Sequence, residues 1–325
     1  MSNHPTDKIY AYFNGKDLNG LCNRLLSQQI KTWPQLMENY ELLKKTKTRT
    51  ISCNGFTVKI QHNPGRVTST LADTRPEAIE GRPCFLCLSN LPEGQKGILY
   101  RDFLILCNPA PVFYHHLTIN SIGHSPQQIE KYIGFLLELT KDLGDGWITL
   151  YNGPKCGASA PDHLHFQAIP RGNTPLEKEL NHCKKIIMSS STLHAFIYYG
   201  DIQGRVFFIL EGNETQALEA AFGGLLHALK SALNTKDEPM LNIACLTREE
   251  GLNLIVFPRS RHRPHVFFRQ DEDRIAISPA VIEMTGVIVT PLERDFLRLD
   301  AKTLESIYTE VSMDKKTLEA IINPA

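Results

Sequence analysis

The fold is decided by residues 152–167, which read NGPKCGASAPDHLHFQ and follow a strand-like run at 147–151. The glycines and small residues of the first part let backbone N–H groups come close to an anion. The second part alternates, and on a β-strand side chains two residues apart lie on one face. The pattern therefore predicts a shared face for His163, His165 and Gln167, a set of two imidazoles and an amide suited to phosphate chemistry. The alternative is a half-buried strand that carries histidines by chance, and the Gly-rich turn before it argues against that alternative.

The composition is that of an ordinary soluble globular protein, with 42% hydrophobic and 22% charged residues. A length of 325 residues allows two domains or one large domain. The formal net charge is zero, so the chain lacks the basic field of nucleic-acid binders, although small nucleotides remain open as ligands. The N-terminus lacks the apolar region of a signal peptide, and no apolar run is long enough to span a bilayer. We therefore expect a cytoplasmic protein without a nucleic-acid or membrane partner.

The eight cysteines are scattered along the chain, apart from Cys84 and Cys87. This usage is typical of a reducing cytoplasm, with thiols used singly or for a metal. A CxxC spacing indicates either a redox pair or half of a zinc site, and the loop-like stretch after it is unlike the helix that a redox pair opens. Further ligands would come from the pair His115 and His116 or from His163. The alternative is a buried turn with two inert thiols.

Hydrophobic periodicity outlines the elements around these motifs. Residues 8–46 are predicted to be helical, and alternation around an Asn-Gly pair predicts a hairpin over 49–61. A helix is predicted to start at the N-cap Ser125 and to end at Gly144.

A second unit of strands, a long helix and two more strands is predicted over residues 195–257. It has the architecture of the first unit but lacks the His-x-His-x-Gln motif. The loop 258–265 carries three arginines and two histidines, which would either clamp phosphates or form a solvated basic loop.

The spacing Asn152-x₄-Gly157-x-Ser159-x₃-His163-x-His165-x-Gln167 resembles the signature of one branch of the histidine-triad superfamily. This branch contains the galactose-1-phosphate uridylyltransferases and the diadenosine-tetraphosphate phosphorylases. Residues 163–168 and 278–286 are similar to stretches of the GDP-hexose phosphorylases, including the plant GDP-L-galactose enzymes. Residues 83–87 are more like the zinc-binding uridylyltransferases. The resemblance covers roughly residues 60–290 in scattered motifs.

The resemblance implies an α+β fold of two histidine-triad-like halves, each an antiparallel sheet with packed helices. We accordingly predict a catalytic half over residues 49–185 and a second half over 186–325. The helical N-terminal extension that we predict over residues 1–48 follows from periodicity and is not explained by the resemblance. Relatives often pair, so a homodimer is also expected.

The resemblance also implies roles for individual residues. His165 matches the nucleophile that takes the nucleotidyl group, and Gln167 matches the residue that holds the phosphoryl oxygens. Four further positions match substrate-binding residues: Arg66, which resembles a nucleotide-contacting arginine, and Asn152, Gly157 and Ser159 of the phosphate-cradling loop.

A structural Zn²⁺ is the cofactor that the resemblance implies. Cys84, Cys87 and His163 match three of its ligands. The fourth would be His116 or His115, and counting from Pro111 favours His116, with His115 standing where relatives place a glycine.

The expected function is nucleotidyl transfer through a nucleotidyl-His165 intermediate, because a neutral imidazole is a good nucleophile for phosphorus. The expected reaction is phosphorolysis of a nucleoside diphosphate sugar such as a GDP-hexose, with nucleotide sugar and phosphate as the partners. The alternatives are a hexose-1-phosphate uridylyltransferase, a dinucleoside-polyphosphate phosphorylase and, from another class, a non-catalytic nucleotide-binding protein.

Overall fold

The computed structural model describes residues 6–322 except 72, 74, 182–185, 190–194, 203–204 and 250. The strands among these residues are β1 (Ile9–Tyr12), β2 (Lys47–Cys53), β3 (Phe56–His62), β4 (Gly97–Tyr100), β5 (Phe103–Cys107), β6 (Leu117–Ser121), β7 (Trp147–Asn152), β8 (His165–Pro170), β9 (Ile186–Ser189), β10 (Ala195–Ile202), β11 (Arg205–Gly212), β12 (Leu241–Arg248), β13 (Gly251–Pro258) and β14 (Val287–Thr290).

The α-helices of the described chain are α1 (Leu18–Thr32), α2 (Pro34–Lys44), α3 (Val67–Thr70), α4 (Pro76–Glu80), α5 (Ile133–Leu143), α6 (Leu176–Glu179), α7 (Thr215–Ala232), α8 (His265–Phe268), α9 (Val281–Met284), α10 (Glu293–Arg298), α11 (Ala301–Val311) and α12 (Lys315–Ile322). Short 3₁₀ helices cover Thr6–Lys8, Pro64–Arg66 and Leu88–Asn90. No helix in this part of the chain is both long and apolar enough to cross a membrane.

One large sheet forms the centre of the described structure. Its eleven strands lie in the order β1-β4-β5-β6-β8-β7-β12-β13-β11-β10-β9. A small sheet, in the order β14-β3-β2, accompanies it. All neighbours in the large sheet are antiparallel except β1 and β4, which are parallel.

The large sheet is a topological repeat. The chain order β4-β5-β6-α5-β7-β8 recurs as β9-β10-β11-α7-β12-β13, with the same strand neighbours inside each unit. The two units meet where β7 pairs antiparallel with β12, and this pairing sets Asn152 directly opposite Asn242. The repeat that the order of predicted strands and helices suggested is therefore present in the described topology.

Each face of the large sheet has its own hydrophobic core. Phe166 and Ala168 of β8 point into a core that α1, α5 and α7 cover. Ile169, on the opposite face, belongs to a second core shared with the small sheet and the C-terminal helices. Because neighbours along a strand alternate, His165 and Gln167 lie on the face of the second core.

The N-terminal region is less helical than its sequence pattern predicts. Helices α1 and α2 are present, and Pro34 occupies the first position of α2, as expected for a residue without an amide hydrogen. Ile9–Tyr12, however, forms β1, which pairs parallel with β4 at the edge of the large sheet. Four residues carry too little periodicity to distinguish an edge strand from a helical turn.

The Asn-Gly hairpin forms as predicted, with β2 and β3 in continuous antiparallel register and Gly55 at φ 86°. Its third partner is β14, which comes from beyond the second unit and pairs parallel with β3. The hairpin is thereby joined to the far end of the chain.

The helix predicted to start at Ser125 starts at Ile133 instead. Residues 125–130 are not helical, because their backbone and side chains bond to the motif stretch. The carbonyl of Ser125 accepts a hydrogen bond from the backbone amide of Leu164 at 2.7 Å. The backbone amide of Gln127 donates to the carbonyl of Pro161 at 3.1 Å. These tertiary bonds compete successfully with the capping box that the sequence offers.

Candidate active site

His165 is the first residue of β8 and is only 4% exposed. Its Nδ1 lies 2.8 Å from the carbonyl oxygen of His163, so Nδ1 carries the proton and donates it to that carbonyl. The Nε2 atom is left with its lone pair. Burial lowers the pKa of His165 to about 4, which keeps the imidazole neutral at physiological pH. The arrangement is that of a nitrogen nucleophile.

Gln127 fixes the backbone on both sides of this histidine. Its Oε1 accepts from the His165 amide at 2.8 Å, and its Nε2 donates to the carbonyls of His165 at 3.0 Å and Asn152 at 2.9 Å. The side chain is 1% exposed and bridges β7 and β8 beyond their last ladder pair, Leu150 and Gln167. The sequence assigns Gln127 to a helix start, and only the tertiary structure reveals this bridge.

Gln167 lies two residues along the same strand and is held by His116. The His116 Nε2 lies 3.0 Å from Gln167 Oε1, and the Val112 amide donates to His116 Nδ1 at 3.2 Å. His116 is fully buried. Burial, reinforced by the positive charge of Arg66, lowers the pKa of His116 to about 3.

Arg66 follows β3 and reaches toward the same region. Its Nη1 donates to the carbonyl of Ala110 at 2.8 Å, while its Nε is buried without a hydrogen-bond partner in the described structure. Burial lowers the pKa of Arg66. Burial also raises the pKa of Glu283, which interacts electrostatically with Arg66, to about 6. An arginine with an uncommitted buried N–H next to His116 is a suitable anion contact.

The phosphate-loop candidates pack against the second unit and against the segment that follows it. Asn152 Oδ1 accepts from the Val281 amide at 2.8 Å and from Asn242 Nδ2 at 2.9 Å. Gly157 has φ 110°, and a Cβ at this position would lie 2.6 Å from the Cβ of Ala280. The left-handed conformation and the close approach both require glycine.

Ser159 belongs to the same loop and is half-buried. Its carbonyl accepts from Arg82 Nη2 at 3.3 Å, and the same Nη2 lies 3.2 Å from Asp162. Arg82 therefore links the loop to the segment that carries the CxxC motif.

Four side chains form a cluster suited to a metal ion: Cys84, Cys87, His124 and His163. The Cys84 Sγ lies 3.3 Å from His163 Nδ1, and the Cys87 Sγ lies 3.2 Å from His124 Nδ1. All four ligand atoms lie within 4.8 Å of one another. Two thiols and two imidazoles at these separations fit the tetrahedral Cys₂His₂ coordination that zinc prefers.

The second nitrogen of His163 is also bonded, which fits a ligand role. Its Nε2 lies 2.8 Å from the carbonyl oxygen of Ser121. A proton on Nε2 leaves Nδ1, the atom that faces the thiols, free to bind a metal. Histidines that bind metals commonly donate their other ring N–H to a carbonyl in this way.

The prediction of His116 as the fourth ligand is wrong, because its ring is committed to Val112 and Gln167. His124 takes the place in the cluster. The signal that could have found it is the pair Gly123-His124, the Gly-His pair expected after Pro111, which lies beyond β6. His115, which stands before His116, has a left-handed backbone conformation with φ 68°.

Arg259, in the basic loop 258–265, has a structural role. The Arg259 side chain is 2% exposed and donates to the carbonyls of Val311, Pro279, Arg261 and His262 and to Asn242 Oδ1. All the N–H donors of the Arg259 guanidinium are thus used in bonds within the protein, so this side chain is not available to clamp a phosphate.

Two protein families match the sequence. The family described as a domain of unknown function (DUF4922) matches residues 25–170, and the family described as GDPGP1-like, C-terminal domain, matches residues 185–323. No curated protein matches the chain in sequence.

Among solved structures, the chain is similar to yeast Ap4A phosphorylase Apa2. The complex with Ap4A superposes with a TM-score of 0.56 at 12% identity, over 89% of this chain and 97% of the other. The complex with AMP gives a TM-score of 0.54 at 14% identity, over 89% and 96% of the two chains. At these identities the likeness shows the fold, and it confirms the predicted α+β architecture.

Proposed function

We propose that the chain is a member of the branch of the histidine-triad superfamily that includes uridylyltransferases, Ap4A phosphorylases and GDP-hexose phosphorylases, and that it transfers a nucleotidyl group through a covalent intermediate on His165. The observation that carries this proposal is the buried imidazole of His165, whose Nδ1 proton is held by the His163 carbonyl at 2.8 Å. That bond leaves the Nε2 lone pair as the reactive group.

The proposed reaction has two displacements at phosphorus. In the first, His165 Nε2 forms a P–N bond to the α-phosphorus, and the P–O bond to the leaving group breaks. The leaving group is the sugar 1-phosphate of a nucleotide sugar or the nucleoside polyphosphate of a dinucleoside polyphosphate. In the second, an oxygen of inorganic phosphate attacks the same phosphorus and the P–N bond breaks, which returns the neutral imidazole. Dividing one displacement into two in this way is the general advantage of a covalent intermediate.

Charge on the non-bridging oxygens needs donors near His165. Gln167 lies on the same face of β8, and Ser159 and the turn at Gly157 belong to the loop that precedes it. Removal of one such donor typically costs about 2.7–4 kcal/mol of activation free energy. We assign the phosphoryl oxygens to these three positions, with Asn152 holding the loop and Arg66 contacting the nucleotide.

A nucleoside diphosphate sugar such as a GDP-hexose is the substrate that we propose. The match of residues 185–323 to a GDPGP1-like domain supports it. The similarity to a phosphorylase solved with Ap4A and AMP supports a second candidate, phosphorolysis of a dinucleoside polyphosphate.

Zinc is proposed to bind to Cys84, Cys87, His124 and His163. Four protein ligands leave no open position, so the ion would be structural. When bound, it would supply rigidity to the segment that ends in the nucleophile, since His163 stands two residues before His165.

The test is incubation of the purified protein with phosphate and, in turn, GDP-hexoses, UDP-hexoses and Ap4A, with nucleotide products separated by chromatography. We expect phosphorolysis of one substrate class by the wild type and none by His165→Ala. His227→Ala, which changes an exposed histidine on α7, is the matched control and should keep full activity.

Omission of phosphate should trap a nucleotidyl adduct on His165, detectable as a mass increase of the corresponding peptide. Replacement of phosphate by a hexose-1-phosphate distinguishes a phosphorylase from a sugar-1-phosphate transferase. Absence of turnover with every substrate, together with equal behaviour of wild type and His165→Ala, would refute the proposal in favour of a nucleotide-binding protein.

A further inference from the structure

We propose that His116 is a positioning residue, which orients the side-chain amide of Gln167 so that its N–H₂ group serves the phosphoryl group. The inference rests on the proposed function, because it concerns the same site. It gives a role to a buried histidine that takes no part in the metal cluster.

The tautomer of His116 follows from its first partner. The Val112 backbone N–H can only donate, and it points at His116 Nδ1 at 3.2 Å. Nδ1 is therefore unprotonated, and in a neutral imidazole the proton must be on Nε2. Burial keeps the ring neutral, and the positive charge of Arg66 acts in the same direction.

The orientation of Gln167 follows from that tautomer. His116 Nε2–H donates to the atom 3.0 Å away, and this atom must be the carbonyl oxygen of the amide. Rotation of the amide by 180° would set its N–H₂ group against another N–H, with two donors facing each other. The orientation with nitrogen away from His116 is thus the only one that satisfies both side chains.

The consequence concerns the amide nitrogen of Gln167. The residue is half-buried, and no partner for its Nε2 is recorded among the described residues. Gln167 shares its strand face with His165, the proposed nucleophile. Its two N–H donors are therefore available for the phosphoryl oxygens, whereas a flipped amide would present an oxygen and repel them.

The chain holds His116 in place through the small sheet. Gln61 of β3 donates to the Val112 carbonyl at 3.0 Å, and Asn63 donates to the Pro111 carbonyl at 3.1 Å. The His116 carbonyl accepts from the Asn108 amide at 2.9 Å. The loop that carries Val112 is thereby fixed from both sides, which preorganises the donor at low entropic cost.

The test compares two replacements of His116 with Gln167→Ala. His116→Phe keeps the ring volume but removes the donor, and we expect turnover to fall about 10²-fold with little change in KM, as for a lost transition-state donor. His116→Gln can extend an amide N–H to the same oxygen, and we expect it to retain turnover within about tenfold. The double variant His116→Phe/Gln167→Ala should be no slower than Gln167→Ala alone, because both changes remove the same donor.

A second measurement does not need turnover. In protein labelled with ¹⁵N at the histidine rings, the His116 signal, assigned by its loss in His116→Phe, should show the Nε2–H tautomer. An Nδ1–H tautomer overturns the inference even if the enzyme is active, and so does a double variant whose losses simply add. If the wild type turns over none of the substrates, the proposed function fails, and the tautomer alone decides the orientation of Gln167.

Discussion

Gln127 provides the sharpest test of how the site is assembled. Gln127→Met keeps the length and volume of the side chain but removes three hydrogen bonds, to both backbone groups of His165 and to the Asn152 carbonyl. A buried backbone group without a partner costs about 1–3 kcal/mol, so three groups cost about 3–9 kcal/mol before the strands relax. Allowing for relaxation, we expect unfolding free energy to fall by about 3–5 kcal/mol.

The measurement is guanidinium unfolding followed by circular dichroism, with Gln128→Met as the matched control. Gln128 is the exposed neighbour, and its replacement should change stability by less than about 0.5 kcal/mol. Gln127→Glu should be at least as destabilising as Gln127→Met at neutral pH, since its carboxylate still accepts from the His165 amide but is buried without a counter-charge against two carbonyl oxygens. Turnover should fall by about 10²-fold in Gln127→Met, because the nucleophile is displaced. A loss below 1 kcal/mol in Gln127→Met, with normal turnover, would refute the bridging role.

Three further predictions concern the metal cluster, the loop and a half-buried acid. His124→Ala should lose bound zinc in atomic absorption, whereas His116→Phe should retain it; equal zinc content in the two variants would contradict the ligand set. Gly157→Ala should lower turnover at least about tenfold and destabilise the loop, whereas Gly223→Ala, at an exposed helical position with open space around it, should be neutral or stabilising by up to about 1 kcal/mol. Burial raises the pKa of the Glu238 carboxyl group to about 7 in the folded protein. The group therefore stabilises the folded state at pH values below its unfolded pKa near 4.5, and this stabilisation is lost as the pH rises through 7. Glu238→Gln should therefore flatten the stability profile between pH 4.5 and 7 and gain on the order of 2–3 kcal/mol at pH 8 relative to wild type; a profile parallel to that of the wild type would count against it.

Local patterns in the sequence predicted the elements whose partners lie nearby in the chain. The Asn-Gly hairpin, the alternation of β8 and the repeat of strands around α7 all follow from periodicity and turn chemistry within short windows. The CxxC pair was predicted to be half of a metal site from its spacing, the resemblance added His163, and the structure brings these three side chains together.

The missed features depend on contacts between distant segments. Nothing local distinguishes Gln127 as a strand bridge from Gln127 in a helix start, and the capping signal at Ser125 was stronger than any signal for the bridge. The choice of His116 over His115 came from counting residues, whereas the structure brings the loop with His124 to the cysteines. The pairing of β14 with β3 joins residues more than two hundred positions apart, and no periodicity encodes it.

The meeting of the two units at β7 and β12 has a consequence for how this chain tolerates change. The unit without the histidine motif supplies Asn242, which together with the Val281 amide holds Asn152. Val281 and Ala280, which confines Gly157, belong to the segment that follows this unit. The unit and this segment therefore support the loop of a site whose proposed nucleophile lies in the other unit. Substitutions at these contacts would disturb that loop. We expect that cutting the chain between the units would leave the first unit with the proposed nucleophile but without the residues that shape the loop beside it, and that neither fragment alone would be active.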